Sequence, residues 1–307
     1  MRTARGDGLA VDWRLPRAPT VPALPRVRTP AGRIVARFRR NRLAVAALGV
    51  LVLIHAAVAA APWLAPGDPE AIALGERLRP PGRPYWLGTD EYGRDVLTRL
   101  LYGGRVSLAV GLTSMVASMV IGVAVGAVAG YLGGIADVVL MRITDGMLAV
   151  PLFFVALLAL AMLGTTLVNL VAVIALTSWM TVARVVRAEV LRTRTLEFVL
   201  AARALGCSGW RILTRHVVPQ SIPSITVAAT LGVAYAVLLE TSLSFLGLGV
   251  QPPAPSWGNM LSGARAYLRT VPGLAVFPGV MIFVTVLCYN WFGDGLRDAI
   301  DPTLADR

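Results

Sequence analysis

Long apolar runs alternate along the chain with short polar segments rich in arginine or proline. The first run, Leu43 to Ala61, has nineteen residues, and His55 is its only strongly polar side chain. A bilayer core is crossed by about 20 predominantly apolar residues, so this run predicts a transmembrane helix. Further runs near 105–130, 138–163, 167–187, 222–247 and 274–293 bring the expected total to six. The predicted fold class is an all-α membrane protein with six transmembrane helices. A cleaved signal peptide is the rival reading of the first run, because Arg39–Arg40 precede it and its end is Ala-rich. The run exceeds the usual apolar core of a signal, about 7–15 residues, and more spans follow it.

Small residues punctuate the second run. Gly122, Gly126 and Gly130 are spaced four apart, fall on one helix face and allow a second backbone to come close. The link 131–137 is short, so the second and third helices should be antiparallel neighbours. Asp137, Arg142 and Asp145 open the third span. Arg142 and Asp145, three apart, are placed to pair on one helix, and the group reads as interfacial anchors rather than a translocation site.

Composition supports the membrane reading. Of 307 residues, 56% are hydrophobic and 15% charged, with a mean hydropathy of +0.68; a soluble domain carries about 25% charged residues. All 29 basic residues are arginine. A P-loop needs a lysine to reach the β- and γ-phosphates, so the chain has no standard P-loop. A net charge of +12 raises the question of nucleic acid, but the arginines concentrate in residues 1–42, which hold eleven, and 184–219, which hold seven. Cytoplasmic segments of membrane proteins have this distribution, and no nucleic-acid partner is expected. Both termini are therefore expected in the cytoplasm, with loops 62–104 and 248–273 outside. The second external loop holds two arginines and no acid, which runs against this orientation but is outweighed.

Residues 1–42 lack an apolar period and read as a mostly disordered cytoplasmic arm. Arg33, Arg37, Arg39, Arg40 and Arg42 crowd against the first span. A short basic helix there would lie on the lipid surface, each charge adding about 1 kcal/mol of attraction to anionic lipid. Membrane lipid is thus an expected partner. The two cysteines, Cys207 and Cys288, form no metal-ligand spacing, and Cys207 falls on the reducing side, where a structural disulfide is not expected.

Residues 197–219 read EFVLAARALGCSGWRILTRHVVP. Phe198, Ala201, Ala202 and Leu205 follow i, i+3, i+4, i+7 and form one apolar stripe. Ala202 and Gly206 are small and four apart, so a partner backbone can approach. Gly206 suits the left-handed residue that ends a helix, Ser208 suits the N-cap of a second helix from Gly209 to Val218, and Pro219 is expected to break the pattern before the fifth span. Such a helix–turn–helix fits docking into a groove on another protein; an amphipathic loop lying on lipid is the alternative.

Ala201–Ala202, Gly206 and His216-Val217-Val218-Pro219 resemble the EAA loop of bacterial ABC importer permeases, with Leu200 in place of that family's leading glutamate. Three further segments narrow the resemblance to the dipeptide/oligopeptide and nickel branch. Trp86 to Leu97 resembles its LGTDxxGRDVL stretch, Ser244 to Gly258 its SFLGLGxQPPxPSWG stretch, and Gly293 to Pro302 its GDxLRDxxDP terminus. The four motifs span about 85–302 in the expected order and resemble the C-type permease of a pair; the arm 1–30 lies outside. The resemblance implies a type I importer permease fold: a first helix at 43–61, a five-helix core at 105–294 containing the EAA loop 197–219, and a cytoplasmic tail 295–307.

The resemblance also implies the partners. These are a second, homologous permease, two ABC ATPase subunits that dock on the coupling helix of the EAA loop, and an extracytoplasmic substrate-binding protein. Leu200, Ala201, Ala202, Arg203, Ala204, Leu205 and Gly206 would be the ATPase contact, with Arg211, Arg215, His216 and Pro219 completing the loop. Arg203, Arg211 and Arg215 would pair with acidic ATPase residues. No catalytic residue, metal or cofactor belongs to this chain; ATP and Mg²⁺ would sit on the partner ATPase. The implied location is the bacterial inner membrane and the implied substrates are short peptides. Nickel chelates, haem and glutathione are alternatives within the branch. Two other classes of function have less support in the residues. A membrane-embedded enzyme lacks a nucleophile–base set or HExxH motif here, and a stand-alone channel or secondary transporter would need no ATPase.

Individual residues carry physical readings of their own. Asp90, Glu91, Arg94 and Asp95 alternate in sign and predict local ion pairs and caps, with a metal or carboxylate site as the alternative. Pro252, Pro253 and Pro255 stiffen an external turn, and Trp257 reads as an interfacial anchor. Gln251, Pro252, Pro253 and Trp257 would face the binding protein, or pack within the permease. Glu240 lies inside the fifth span, and an intramembrane carboxylate suggests a place on the substrate path; the alternative is a hydrogen bond from Ser242, Ser244 or a neighbouring helix. His55 reads as a helix-packing residue.

Overall fold

Among the described residues, five helices are long and apolar enough to cross a membrane, and a sharply bent pair makes a sixth crossing if it forms one span. The computed structural model describes residues 30–300. The expected disorder of residues 1–29 and the terminal Asp301–Pro302 motif fall outside them.

Helix α1 (Pro30–Arg40) turns at Asn41 into α2 (Arg42–Ala59). The Asn41 side chain accepts from Ala44 N at 3.1 Å, the N-cap bond that starts a helix. A short α3 (Ala61–Leu64) follows, then a polar segment that leads into α4 (Val96–Leu132). After α5 (Gly134–Ala149) and α6 (Leu152–Leu163) comes α7 (Leu167–Thr193). The arginine-rich loop holds α8 (Glu197–Ala204) and α9 (Gly209–Ile212). α10 (Val218–Phe245), α11 (Trp257–Ala264) and α12 (Gly273–Ile300) complete the chain. No β-strand occurs among the described residues; Thr89 and Asp95 form an isolated bridge.

The glycine ladder of α4 sets the architecture. Gly122 lies against Trp179 and Val182, Gly126 against Ala183 and Val186, and Gly130 against Arg187 and Val190. Residue numbers rise together on the two helices, so α4 and α7 are parallel. Between them the chain must return to the starting end, and α5 with α6 provides that return. This establishes six crossings rather than five. The other contacts alternate in direction as six crossings require. On α4 and α10, Gly111 meets Val237 while Met115 meets Gly232. On α2 and α12, Ala44 meets Gly295 while His55 meets Tyr289. One end of the bundle therefore gathers the start of α2, the ends of α4, α7 and α12, and the arginine-rich loop.

The third span is not the continuous helix expected over 138–163. α5 and α6 meet at an angle of 84° across Val150–Pro151. Proline has no N–H to donate and its ring pushes the preceding residue out of the helical region; Val150 is extended, with φ −90° and ψ 134°. The expected Arg142–Asp145 pair is also not formed. Asp145 pairs instead with Arg184 of α7 at 2.6 Å, and Asp137 with Arg187. Both acids point to the neighbouring helix rather than along their own. The predicted antiparallel turn between the second and third helices is present. Gly133 and Gly134 make it with φ of 67° and 55°, values that cost glycine little.

His55 packs between helices as expected: Nδ1 lies 2.8 Å from Leu51 O and Nε2 3.1 Å from the Tyr289 hydroxyl. The main core gathers Leu51, Leu108, Met115, Val186, Val190, Val233, Val237 and Trp257. It reaches the arginine-rich loop through Val199, Ala202, Ile212 and Val217.

Candidate functional site

The arginine-rich loop is held at both ends by the parallel pair. After α7, the Arg194 guanidinium donates to Gly130 O at the end of α4 (2.9 Å). Tyr131 packs beside Gly209. Val199 and Ala202, three apart on α8, face the protein and are buried. The inward residues are Val199 and Ala202; of the Phe198–Ala201–Ala202–Leu205 stripe expected to meet a partner, only Ala202 turns inward and the other three are exposed. Ala202 is used by the chain's own core and is closed to a partner. Leu200, Ala201, Arg203, Ala204, Leu205 and Gly206 are exposed.

Leu205 is 84% exposed and Trp210 73%, with Phe198 and Leu200 beside them in sequence also exposed. A cluster of large apolar side chains in a polar loop marks a surface that meets another molecule. Trp210 was missed in the sequence reading. Its signal was an aromatic residue just after the Ser208 N-cap, in a loop otherwise marked by arginine. Arg203, Arg211 and Arg215 are exposed and make no ion pair among the described residues. His216 is half-buried.

Gly206 ends α8 with φ 78°. Gly206 N donates to Arg203 O and Cys207 N to Ala202 O (3.0 and 3.1 Å), the pattern by which a left-handed residue satisfies terminal carbonyls. A β-carbon at Gly206 would meet nothing within 4 Å. Backbone conformation, not crowding, requires glycine here. Ser208 Oγ accepts from Arg211 N as expected of an N-cap. The predicted break at Pro219 is absent. α9 continues through one wide π turn, Leu213–Val217, into α10. Pro219 directly follows that π turn, a local adjustment of the kind that lets a continuous helix tolerate a missing N–H.

At the opposite end, the segment before α4 forms a platform. Asp95 caps α4 by accepting from Thr98 N at 2.7 Å. Asp90 accepts from Tyr92 N and Arg94 N (2.8 and 3.0 Å) and from Arg94 Nε (2.6 Å). Glu91 lies 3.6 Å from Arg94. The predicted ion pairs and cap are thus formed. Arg99, nearly buried, joins three segments: it donates to Pro69 O at 2.9 Å and Pro253 O at 3.5 Å, and lies 3.5 Å from Asp90.

Trp257 is not an interfacial anchor. Its side chain is fully buried. Its Nε1 donates to Leu100 O at 3.0 Å and its backbone N–H to Ser107 Oγ at 3.2 Å. An indole satisfies its N–H and buries its rings at once in such a slot, which leaves nothing of Trp257 to face a partner. Gln251, Pro252 and Pro253 are exposed.

Glu240 is equally enclosed. Its carboxylate accepts from Ser244 Oγ (2.7 Å) and lies 3.4 Å from Thr241 Oγ1, with the Ser107 and Ser256 hydroxyls also directed at it. Ser242 instead donates to Leu238 O. Hydroxyls from α4, α10 and the cap of α11 therefore satisfy a buried acid that would otherwise be costly. Glu240 is closed off from any substrate path in this conformation. A nearby crevice of about 380 Å³ is lined by Phe153, Thr241, Ser242, Phe245, Leu246 and Leu261. The sequence reading did not find it, because Phe153 comes from a helix some ninety residues away.

Comparison with known proteins agrees with this arrangement. Residues 122–305 match the family described as binding-protein-dependent transport system inner membrane component. Residues 29–81 match the N-terminal TM domain of oligopeptide transport permease C. The chain is 43% identical over 280 residues, 91% of its length and 93% of the relative's, to the glutathione transport system permease protein GsiD of Pectobacterium atrosepticum. It is 42% identical to the protein of that name from Escherichia coli, over 91% of this chain and 92% of the relative. It is 39% identical to the dipeptide transport system permease protein DppC of Alkalihalophilus pseudofirmus, over 87% and 88%.

Proposed function

The chain belongs to the family of inner membrane components of binding-protein-dependent transport systems, and on that premise we propose that it is one of two permeases in an ATP-driven importer of short peptides. Its six crossings are half of the translocation pathway. A homologous permease supplies the other half, two ATPase subunits bind ATP and Mg²⁺, and an extracytoplasmic binding protein delivers substrate. The carrying observation is the loop between α7 and α10. It displays Phe198, Leu200, Leu205 and Trp210 with three arginines that make no ion pair among the described residues, yet is fixed to α4 and α7 from beneath.

In this reading Leu200, Ala201, Arg203, Ala204, Leu205 and Gly206 meet the ATPase, and Arg203, Arg211 and Arg215 pair with its acidic side chains. ATP binding closes the ATPase pair, and the loop follows. The motion is productive only if the loop makes different contacts in the two states. Both termini lie in the cytoplasm of a bacterium, and Gln251, Pro252 and Pro253 face the binding protein on the other side. α1 lies along the inner lipid surface. Its Phe38 ring packs edge-on against Phe292 at 5.7 Å, and Arg39, Arg40 and Arg42 are exposed toward anionic headgroups.

Glutathione, itself a short peptide, is the second reading of the substrate. Similarity to permeases named for glutathione transport favours it, and similarity to one named for dipeptides favours the broader class. The decisive experiment replaces Gly206 with arginine. Membrane insertion should persist while uptake and substrate-stimulated ATP hydrolysis are lost. Normal uptake by Gly206→Arg would refute the docking role. Uptake of labelled glutathione against labelled dipeptides in a deletion strain separates the two substrates.

A further inference from the structure

Helix α5 is weakly held by apolar packing. Thr144 is its one buried side chain among the described residues, and Ile135, Val138, Val139 and Ile143 are exposed. Its start hangs from α4 by two glycines in the left-handed region, and its end breaks at Val150–Pro151. Only near that end do Met147 and Leu148 reach the Trp179–Met180 cluster. From Asp137 to Asp145 of α5, the contacts with α7 are ionic. Arg187 donates to Asp137 through both Nε and Nη2 (2.5 and 2.6 Å), and Arg184 Nη2 donates to Asp145 (2.6 Å).

The two pairs are unequal. Asp137 is largely covered, with 16% of its side chain exposed, and it receives a bidentate guanidinium, the strong geometry for such a pair. Asp145 and Arg184 are each about half exposed, where a lone pair contributes little. The pairs nevertheless run in order: the inner acid meets the inner arginine and the outer acid the outer one, as antiparallel helices require. Arg187 also sits where α7 is welded to α4, since its carbonyl and Val190 lie against Gly130. The same end of α7 carries the loop, and Arg194 ties that loop back to Gly130. Beyond the bend, Phe153 of α6 lines the crevice shared with Thr241, Ser242 and Phe245.

We propose that Asp137, held by Arg187 and assisted by the Asp145–Arg184 pair, is the positioning residue through which movement of the arginine-rich loop reaches the broken span. A displacement of the loop is carried by the rigid α4–α7 pair. α5 follows because Asp137 is pinned to Arg187, and α6 follows α5, so the wall of the crevice moves with the ATPase. Without the pin, the loop and ATPase can still cycle while the broken span lags. This rests on the importer reading above.

The test is a charge exchange in the complete transporter, reconstituted in vesicles with its second permease, ATPases and binding protein. Uptake of labelled peptide and ATP hydrolysis are measured on the same preparation. Asp137→Arg and Arg187→Asp alone should each retain the ATPase subunits through purification. Each should lower the number of peptides moved per ATP by about ten-fold, within the range of coupling between groups in direct contact. The double exchange should restore most of that ratio, and an ATPase rate that persists in the single variants while the ratio falls separates uncoupling from loss of stability. Asp137→Asn serves where the charge reversal does not assemble and should lower the same ratio. An unchanged ratio in the single variants overturns the proposal, as does an assembled double exchange that stays uncoupled. A wild-type complex without ATP-driven uptake would sink the importer reading itself, and this proposal with it.

Discussion

The backbone of Gly126 lies so close to the carbonyl oxygen of Ala183 that a β-carbon has no room between them. The obstacle is backbone rather than a side chain that can turn aside. Gly126→Val should therefore push α4 and α7 apart. Overpacking a core costs about 1–3 kcal/mol, and a clash with two helix backbones belongs at the upper end. Thermal unfolding of the purified chain in detergent checks this. Gly49→Ala, where a β-carbon meets nothing within 4 Å, is the matched control and should leave the midpoint unmoved.

Gly206 tests conformation separately from bulk. Its φ of 78° is tolerated by asparagine and poorly by a β-branched residue. A non-glycine residue in this region is disfavoured by roughly 1–2 kcal/mol. Gly206→Asn should keep the loop's affinity for the ATPase near wild type, whereas Gly206→Val should weaken co-purification. Equal loss in both variants would show that the surface at this point, not its backbone, is what the ATPase reads.

Trp257 and Gln251 lie six residues apart in one segment and should behave oppositely. Removing a buried tryptophan side chain costs about 3–5 kcal/mol, so Trp257→Ala should lower stability sharply. Trp257→Phe keeps most of the apolar contact and forfeits the bond to Leu100 O, a loss of about 1 kcal/mol. Gln251→Ala loses the bonds from Nε2 to Gly247 O and Gly249 O (2.9 and 3.1 Å), a cost of about 1 kcal/mol, and is the better probe of binding-protein contact, read as the concentration of loaded binding protein needed for half-maximal ATP hydrolysis.

The two thiols report orientation. Cys207 is half-buried in the arginine-rich loop and Cys288 is buried in α12. A membrane-impermeant maleimide should leave intact cells unlabelled and modify Cys207 in inverted vesicles. A Cys207→Ser variant should abolish that signal. Labelling of intact cells would put the loop on the outer face and exclude the proposed ATPase contact.

Arg99 joins Pro69, Asp90 and Pro253 across the platform before α4. Breaking a buried ion pair by removing one partner costs about 3–5 kcal/mol. Arg99→Ala should therefore loosen residues 62–95 and expose them to added protease. Arg99→Lys should rescue only partly, because one ammonium cannot reproduce the planar fork.

Much of this was legible in the residues. Span number followed from run lengths, and the function of the Gly122–Gly126–Gly130 ladder followed from its period, because both are local patterns. The end of α8 at Gly206 and the cap at Ser208 were readable for the same reason. What escaped the sequence involved partners far apart in the chain. Asp145 was assigned to Arg142, three residues away, and instead pairs with Arg184, thirty-nine residues on. Trp257 resembled an anchor because its slot is formed by Leu100 and Ser107. Ala202 resembled docking surface because a helical stripe does not say which side is inward. The break at Pro151 was hidden by an apolar run that continues through it, while Pro223 and Pro278 lie inside helices without ending them. A proline alone therefore did not identify the bend.

The corner at Val150–Pro151 has one more implication. Where α5 stops and α6 begins, the helical ladder is interrupted: Val150 N turns back to Met147 O, and Pro151 O starts the next helix by accepting from Phe154 N and Val155 N. Hydrocarbon tails offer such groups no donor and no acceptor, so irregular backbone at this depth is stable only when enclosed by protein or wetted. In the proposed transporter, lipid would be barred from this elbow, leaving its exposed flank to the second permease or to the aqueous lumen.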